Sequence, residues 1–316
     1  MDKRKLGRAG LEISVVGYGA WEAGGSVWGP ADEDQVIDAI EAAIDAGMDW
    51  IDTAEIYGQG RSEQIVGQVL KNHRADEQVL VFTKFAPFPT RTAGSDVVAA
   101  LRASLKRLGV GRVDLYQIHW PDESGMSLEE LWEGMAEAQD QGLTRHIGVS
   151  NFDRTLIERC MAVRHVDSVQ NQFSLLHRGD RAELLPWLEQ QGIGYLAYGP
   201  LAFGLLSGAI TKETTFADED WRSGRTVQFD YYQKLFAPGA FERNLERVEC
   251  LRPIAERLGI ELSVLALRAV IDSPGMTAAI AGSRKADHCR TNARAGKLHL
   301  SADVLKEIEA ALGESR

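Results

Sequence analysis

Short apolar runs of β character alternate with longer stretches of helical period along most of the chain. A hairpin pattern at RKLGRAGLEIS, turning at Gly7 to Gly10, precedes strands expected at 15–19, 49–52, 79–84, 114–119, 145–150, 168–172, 193–198 and 277–282. Between them the polar punctuation is helical. Asp32 reads as the cap of a helix that stops at Gly47, and Ser62 with Glu63 as the start of the next. The segment beginning at Ser95 puts Val98, Leu101, Leu105 and Leu108 on one face, leaving Arg102, Lys106 and Arg107 on a solvated one. Strands that alternate with helices in this way make a parallel sheet, and eight of them close a barrel. The expected fold class is therefore α/β: a (β/α)8 TIM barrel with an N-terminal β-hairpin.

The rhythm breaks once, between Tyr198 and the strand at 277. That interval opens on glycine and proline and continues through an aromatic, polar stretch, TTFADEDWRSGRTVQFDYYQ, before two helical patterns. A long loop after strand 7 of a compact domain usually serves function. No repeat or linker divides the chain, so residues 1–316 are read as one barrel domain.

Composition narrows the function classes. The formal charge is -11, which disfavours nucleic acid and anionic membrane surfaces as partners and leaves a small molecule as the default. No apolar run follows the basic N-terminus and none is long enough to span a bilayer, so a cytoplasmic location is expected. Cys160, Cys250 and Cys289 lack CxxC spacing, fit a reducing compartment, and read as buried small hydrophobes. No histidine pair has metal-ligand spacing, and no metal is expected. Whether the chain is a monomer or a homo-oligomer is left open.

Catalytic groups of such barrels sit at the C-terminal ends of strands. Here those ends carry Asp52, Lys84, His119, and Ser150 with Asn151, while Tyr57 follows Asp52 closely. Each has an ordinary reading alone: a turn cap, a surface charge, a core histidine, a loop aromatic. Together they are chemically coherent. A phenol needs tuning to exchange a proton near neutrality, a neighbouring ammonium stabilises its anion, and a carboxylate keeps that ammonium charged. An imidazole beside them can donate to a substrate oxygen.

The strings GMDWIDTAEIYGQGRSEQIVG (47–67), VFTK (81–84), DLYQIHWPD (114–122), GVSNF (148–152), QNQFSLL (170–176), YGPLAFGLLSG (198–208) and IAGSRKADHCRTN (280–292) resemble the aldo-keto reductase family in order and spacing. The pattern is most like bacterial members related to the inositol-operon reductase and to the potassium-channel β-subunits. The resemblance implies reduction of aldehydes or ketones to alcohols with NADPH, by direct hydride transfer, with Asp52, Tyr57, Lys84 and His119 as the catalytic tetrad. It places Ser150, Asn151 and Gln170 on the nicotinamide carboxamide and Tyr198, rather than Tyr195, against the ring. Gly199, Leu201, Gly204, Leu206 and Ser207 would follow over the pyrophosphate. Gly282, Ser283, Arg284, His288 and Asn292 would hold the adenosine end, in a locally basic stretch that favours NADPH over NADH. Ala281, His288 and Thr291 depart from the family's proline, glutamine and glutamate.

Trp21, Trp28 and Trp120 are candidate walls of the substrate pocket. Two other readings stay open: a slow-turnover NADPH-binding sensor or channel-associated subunit, and a Schiff-base enzyme acting through Lys84. The third glycine of a GxGxxG turn is replaced by Glu22, which counts against a Rossmann dehydrogenase.

Overall fold

The computed structural model describes residues 1–73, 79–121, 123–227 and 229–313. Two antiparallel strands, β1 (Lys3–Leu6) and β2 (Leu11–Ser14), form the N-terminal hairpin around a 3-10 turn at Gly7–Ala9. Eight parallel strands follow: β3 (Val16–Gly19), β4 (Trp50–Asp52), β5 (Leu80–Phe85), β6 (Val113–Ile118), β7 (Thr144–Ser150), β8 (Ser168–Gln172), β9 (Gly194–Tyr198) and β10 (Ala278–Ile280). They close in sequence order, with β10 pairing back onto β3. The eight expected strands are all present, within a residue or two of their expected ends.

Side chains alternate in and out along each strand, and that parity assembles the site. Trp50, Leu80, Phe82, Leu115, Leu196 and Ala278 point inward at the lower end, where Leu6 and Ile13 of the hairpin pack beneath them. Two residues further along the same strands come Asp52, Lys84 and Tyr198. An apolar floor and a reactive upper layer are thus the same inward rows at different heights. The floor is tightly filled: a Cβ on Gly17 would lie 2.1 Å from the Trp50 ring, so only glycine leaves room for that indole.

Helices α1 (Glu33–Asp45), α2 (Arg61–Asn72), α3 (Gly94–Leu108), α4 (Leu128–Asp140), α5 (Arg154–Val163) and α6 (Leu184–Gln191) run back along the outside of the barrel. The interval after β9 contributes α7 (Asp230–Leu235), α8 (Ala240–Glu249), α9 (Arg252–Leu258) and α10 (Leu262–Ile271). After β10 come α11 (Ala286–Arg294) and α12 (Ala302–Leu312). Asp32 caps α1 as expected, accepting from the Gln35 amide at 3.0 Å.

Four local expectations are corrected. Ser62 does not cap α2: Gly60 occupies that position, and the Ser62 hydroxyl is buried, donating to Ala20 O at 2.8 Å and facing Thr53 Oγ1 at 2.8 Å. In α3 the buried residue is Val97, with Val98 at the edge, because the helix turns toward α2 and α4 together. Arg107 leaves the solvated face and donates to the fully buried Glu63 at 2.6 Å, since a carboxylate taken out of water needs a charged partner. Cys250 is exposed at the end of α8, whereas Cys160 and Cys289 are buried. No helix among the described residues is long and apolar enough to cross a membrane.

Candidate active site

The upper layer opens into a cavity of about 1070 Å³, lined by residues at or beyond the ends of every barrel strand except β5. That volume is ample for a cofactor with a substrate. Asp52, Tyr57, His119, Ser150, Asn151, Gln170 and Tyr198 all reach its wall. Lys84 does not. It is fully buried just beneath, and its three ammonium protons have three acceptors: the Asp52 carboxylate, Thr53 O at 2.8 Å, and the Tyr57 hydroxyl at 3.5 Å. The sequence does not mark Thr53 O, a backbone group, or the role of Gln170, whose amide donates to the other Asp52 oxygen at 2.8 Å. Asp52 is thereby held on both sides.

Tyr57 reaches this cluster from a short irregular turn. Gly58 follows in a left-handed conformation and packs against Gly24, where a Cβ would meet the Gly24 carbonyl at 2.3 Å. The phenol oxygen lies 3.3 Å from His119 Nε2. The imidazole edge meets the Tyr57 ring at a centroid distance of 5.4 Å.

Burial dominates the electrostatics. It holds the Tyr57 phenol well above its usual value, reinforced by the Asp52 carboxylate, so the proton stays on at neutral pH. Burial also lowers Lys84, against the pull of Asp52, and takes His119 well below the usual imidazole range, helped by the Lys84 ammonium. The expectation that Lys84 draws the phenol down toward neutrality is therefore not met here. Lys84 stands farther from Tyr57 than from its other two acceptors, and desolvation outweighs it. A neutral His119 carries one ring proton, and its Nδ1 is buried with no partner among the described residues.

Beside these four residues, Ser150 donates to Gln170 O at 2.7 Å and Asn151 to His119 O at 2.9 Å. The Tyr198 hydroxyl donates to Asn151 Oδ1 at 2.7 Å. Asn151 accepts a left-handed backbone, φ 64°, to make both contacts. Tyr195 points the other way, away from the cavity, and donates to Asp180 at 2.8 Å. Gly199 and Leu201 line the cavity, but Leu206 is buried in the core, and the Ser207 hydroxyl turns back onto Gly204 O at 2.6 Å.

Where β10 meets β3, Gly282 lines the cavity and touches Gly19 across the barrel seam, where a Cβ would lie 2.0 Å from the Gly19 carbonyl. Ser283 is buried, 3.2 Å from His288 Nδ1, and Asn292 is buried in α11. Arg284 has a role that the sequence does not show. It donates to Glu22 O, Pro30 O and Gly29 O at 3.0, 2.9 and 3.1 Å, tethering the loop that carries Trp21 and Trp28. Of the five guanidinium N–H groups this leaves two.

Trp21, Trp28 and Trp120 all line the cavity. The long loop adds aromatics not singled out beforehand: Phe203, Phe229 and Tyr231 line it too, while Trp221 is fully buried behind them, its ring 6.3 Å from that of Trp21. Asp122, the last residue of the DLYQIHWPD string, lies outside the described residues.

The model of the aldo/keto reductase family matches residues 15–312. An aldo-keto reductase of Bacillus subtilis (strain 168), YhdN, is 34% identical, over 99% of this chain and 94% of its own length. The solved structure of the glycerol dehydrogenase AKR11B4 from Gluconobacter oxydans superposes with a TM-score of 0.86 at 29% identity, covering 98% of this chain and 95% of that one. An aldo/keto reductase from Klebsiella pneumoniae, solved in complex with NADP and acetate, superposes with a TM-score of 0.75 at 28% identity, over 100% and 98% of the two chains. With a closed eight-stranded barrel, a buried carboxylate–ammonium pair under a phenol and an imidazole, and a family match over nearly its whole length, this chain is an oxidoreductase that belongs to the aldo/keto reductase family.

Proposed function

We propose that the protein reduces aldehydes or ketones to alcohols, reversibly, with NADPH as the hydride donor and Tyr57 as the general acid. The observation that carries this reading is the Tyr57 hydroxyl set between Lys84 Nζ and His119 Nε2 at the wall of an aromatic cavity. When bound, the dinucleotide supplies the hydride. The chain supplies everything that handles the proton. Tyr57 enters carbonyl reduction already protonated, as its burial requires, and gives its proton to the developing alkoxide. Lys84 stabilises the resulting tyrosinate, and Asp52 with Thr53 O keeps Lys84 oriented. His119 donates a hydrogen bond to the substrate oxygen. In oxidation the same phenolate takes the proton back.

The residues present fit a dinucleotide. Ser150, Asn151 and Gln170 offer donors and acceptors to a carboxamide, and Tyr198 offers a ring face. The start of the turn after β9, Gly199 to Leu201 with Phe203, lines the cavity where a pyrophosphate would run. Ser283, Arg284, His288 and Asn292 flank the end where an adenosine phosphate would lie. The Klebsiella relative holds NADP, which supports the same choice here.

The test is steady-state oxidation of NADPH with 4-nitrobenzaldehyde. Turnover with formation of the alcohol is expected, and no consumption of NADPH with any reactive aldehyde overturns the reading. In Arg284→Ala, KM for NADPH is expected to rise roughly tenfold or more while KM for NADH moves much less, because a charged contact to the 2'-phosphate is lost only with NADPH. An equal rise for both cofactors would mean that Arg284 acts only through the loop that it tethers.

A further inference from the structure

The charged side chains lining the cavity are strongly one-sided. Among the described residues, six carboxylates line it, Glu22, Asp52, Glu123, Asp153, Asp180 and Asp230, against one ammonium, Lys234. No arginine lines it, and Lys84 is sealed beneath the wall.

Most of these carboxylates are already committed. Asp52 holds Lys84 and Gln170. Asp180 accepts from Asn171 at 2.9 Å and from Tyr195 at 2.8 Å. Asp153 caps α5, accepting from the Leu156 amide at 2.9 Å. Glu22 faces the Arg284 and Arg222 guanidiniums. Asp230 begins α7 with Lys234 one turn later on the same helix, a spacing at which opposite charges partly offset. Glu123 remains. It is exposed and has no ion pair or hydrogen bond among the described residues, three positions beyond Trp120 and four beyond the catalytic His119.

Aromatic rings line the same cavity: Trp120 precedes Glu123 by three positions, and Trp21 meets Trp28 at 5.0 Å and Tyr57 at 6.2 Å. Aromatic faces with a free carboxylate are the chemistry that receives an organic ammonium group. The same wall offers a substrate carboxylate or phosphate a single exposed cation among the described residues, Lys234.

We propose that Glu123 is a specificity-determining residue that selects positively charged aromatic carbonyl compounds over negatively charged ones. This rests on the reading of the cavity as a carbonyl-reducing site. Charge selection follows because Glu123 attracts a cation and repels an anion, while differences in the size and carbonyl reactivity of the two substrates are the same in every variant. Glu123 is exposed, so the effect is moderate and screened by salt.

The experiment compares 4-formyl-N,N,N-trimethylanilinium with 4-carboxybenzaldehyde, using 4-nitrobenzaldehyde as the neutral reference. At low ionic strength kcat/KM for the cation is expected to exceed that for the anion by roughly tenfold. The ratio should fall several-fold in Glu123→Gln and again when salt is raised. Ratios are taken within each variant, so any loss common to all substrates cancels. A wild-type ratio near or below one overturns the proposal, as does a ratio that Glu123→Gln leaves unchanged. Titration of tryptophan fluorescence with the two charged aldehydes reads the same ratio as Kd and does not depend on turnover. Reduction of 4-nitrobenzaldehyde without charge selection would remove the role of Glu123 and leave the reductase reading intact. Charge-selective binding without reduction of any aldehyde would do the reverse.

Discussion

Tyr57→Phe is expected to lower kcat/KM for aldehyde reduction by about 10²- to 10⁴-fold, the range lost when a general acid is removed, while Kd for NADPH stays at its wild-type value. The substitution deletes one oxygen. The ring keeps its contacts with Trp21 and His119, so the cavity wall should hold its shape. What disappears is the hydroxyl that lies between Lys84 Nζ and His119 Nε2. Stopped-flow measurement of NADPH binding alongside steady-state reduction separates the two effects. Turnover near the wild-type rate would sink the mechanism, because a neutral His119 would then have to be the acid.

Lys84→Met is expected to cost both activity and stability, unlike the loss at Tyr57. Methionine fills much of the lysine volume, but Asp52 would then be a buried carboxylate with Gln170 as its remaining side-chain partner. Breaking one side of a buried ion pair typically costs about 3–5 kcal/mol, a shift easily read from the midpoint of urea unfolding. The double variant Asp52→Asn, Lys84→Met should recover a large part of that stability, because no unpaired charge is left inside, yet remain inactive. If Lys84→Met alone unfolds at the wild-type midpoint, the pair is not carrying the burial of Asp52. If it retains reductase activity, Lys84 does not stabilise the tyrosinate.

Much of this site was legible before the fold was seen. Asp52, Lys84 and His119 end consecutive strands, and side-chain parity along a strand is a local property. Two steps from an inward apolar residue is again inward, so Trp50 to Asp52 and Phe82 to Lys84 could be traced in the sequence itself. The misreadings share a cause. Helical period alone places Val98 and Arg107, and polar start chemistry places Ser62, yet a helix in a ring is contacted on two sides by its neighbours, which widens and rotates its buried face. Arg107 turned inward because Glu63, 44 residues earlier, needed a counter-charge. The aromatic stretch that holds Phe229 and Tyr231 is visible in the sequence, but irregular backbone has no period from which to infer which of its rings face the cavity. Ala202 and Phe203 even adopt positive φ, at 47° and 53°, which no sequence pattern announces.

By itself, then, the sequence determined the barrel, the hairpin beneath it, the family, and the set of reactive residues, since each follows from local periodicity or from strings of neighbouring residues. Only the tertiary structure decided how those residues are bonded and charged. The third acceptor of Lys84 is a backbone carbonyl, the second partner of Asp52 lies 118 positions away, and Arg284 serves a loop more than 250 positions earlier in the chain. Whether Tyr57 is an acid or a base at rest depends on burial, which is a sum over everything packed around it. Proton affinity in a protein interior is set by contacts in space, and the chain brings those contacts together only by closing the barrel.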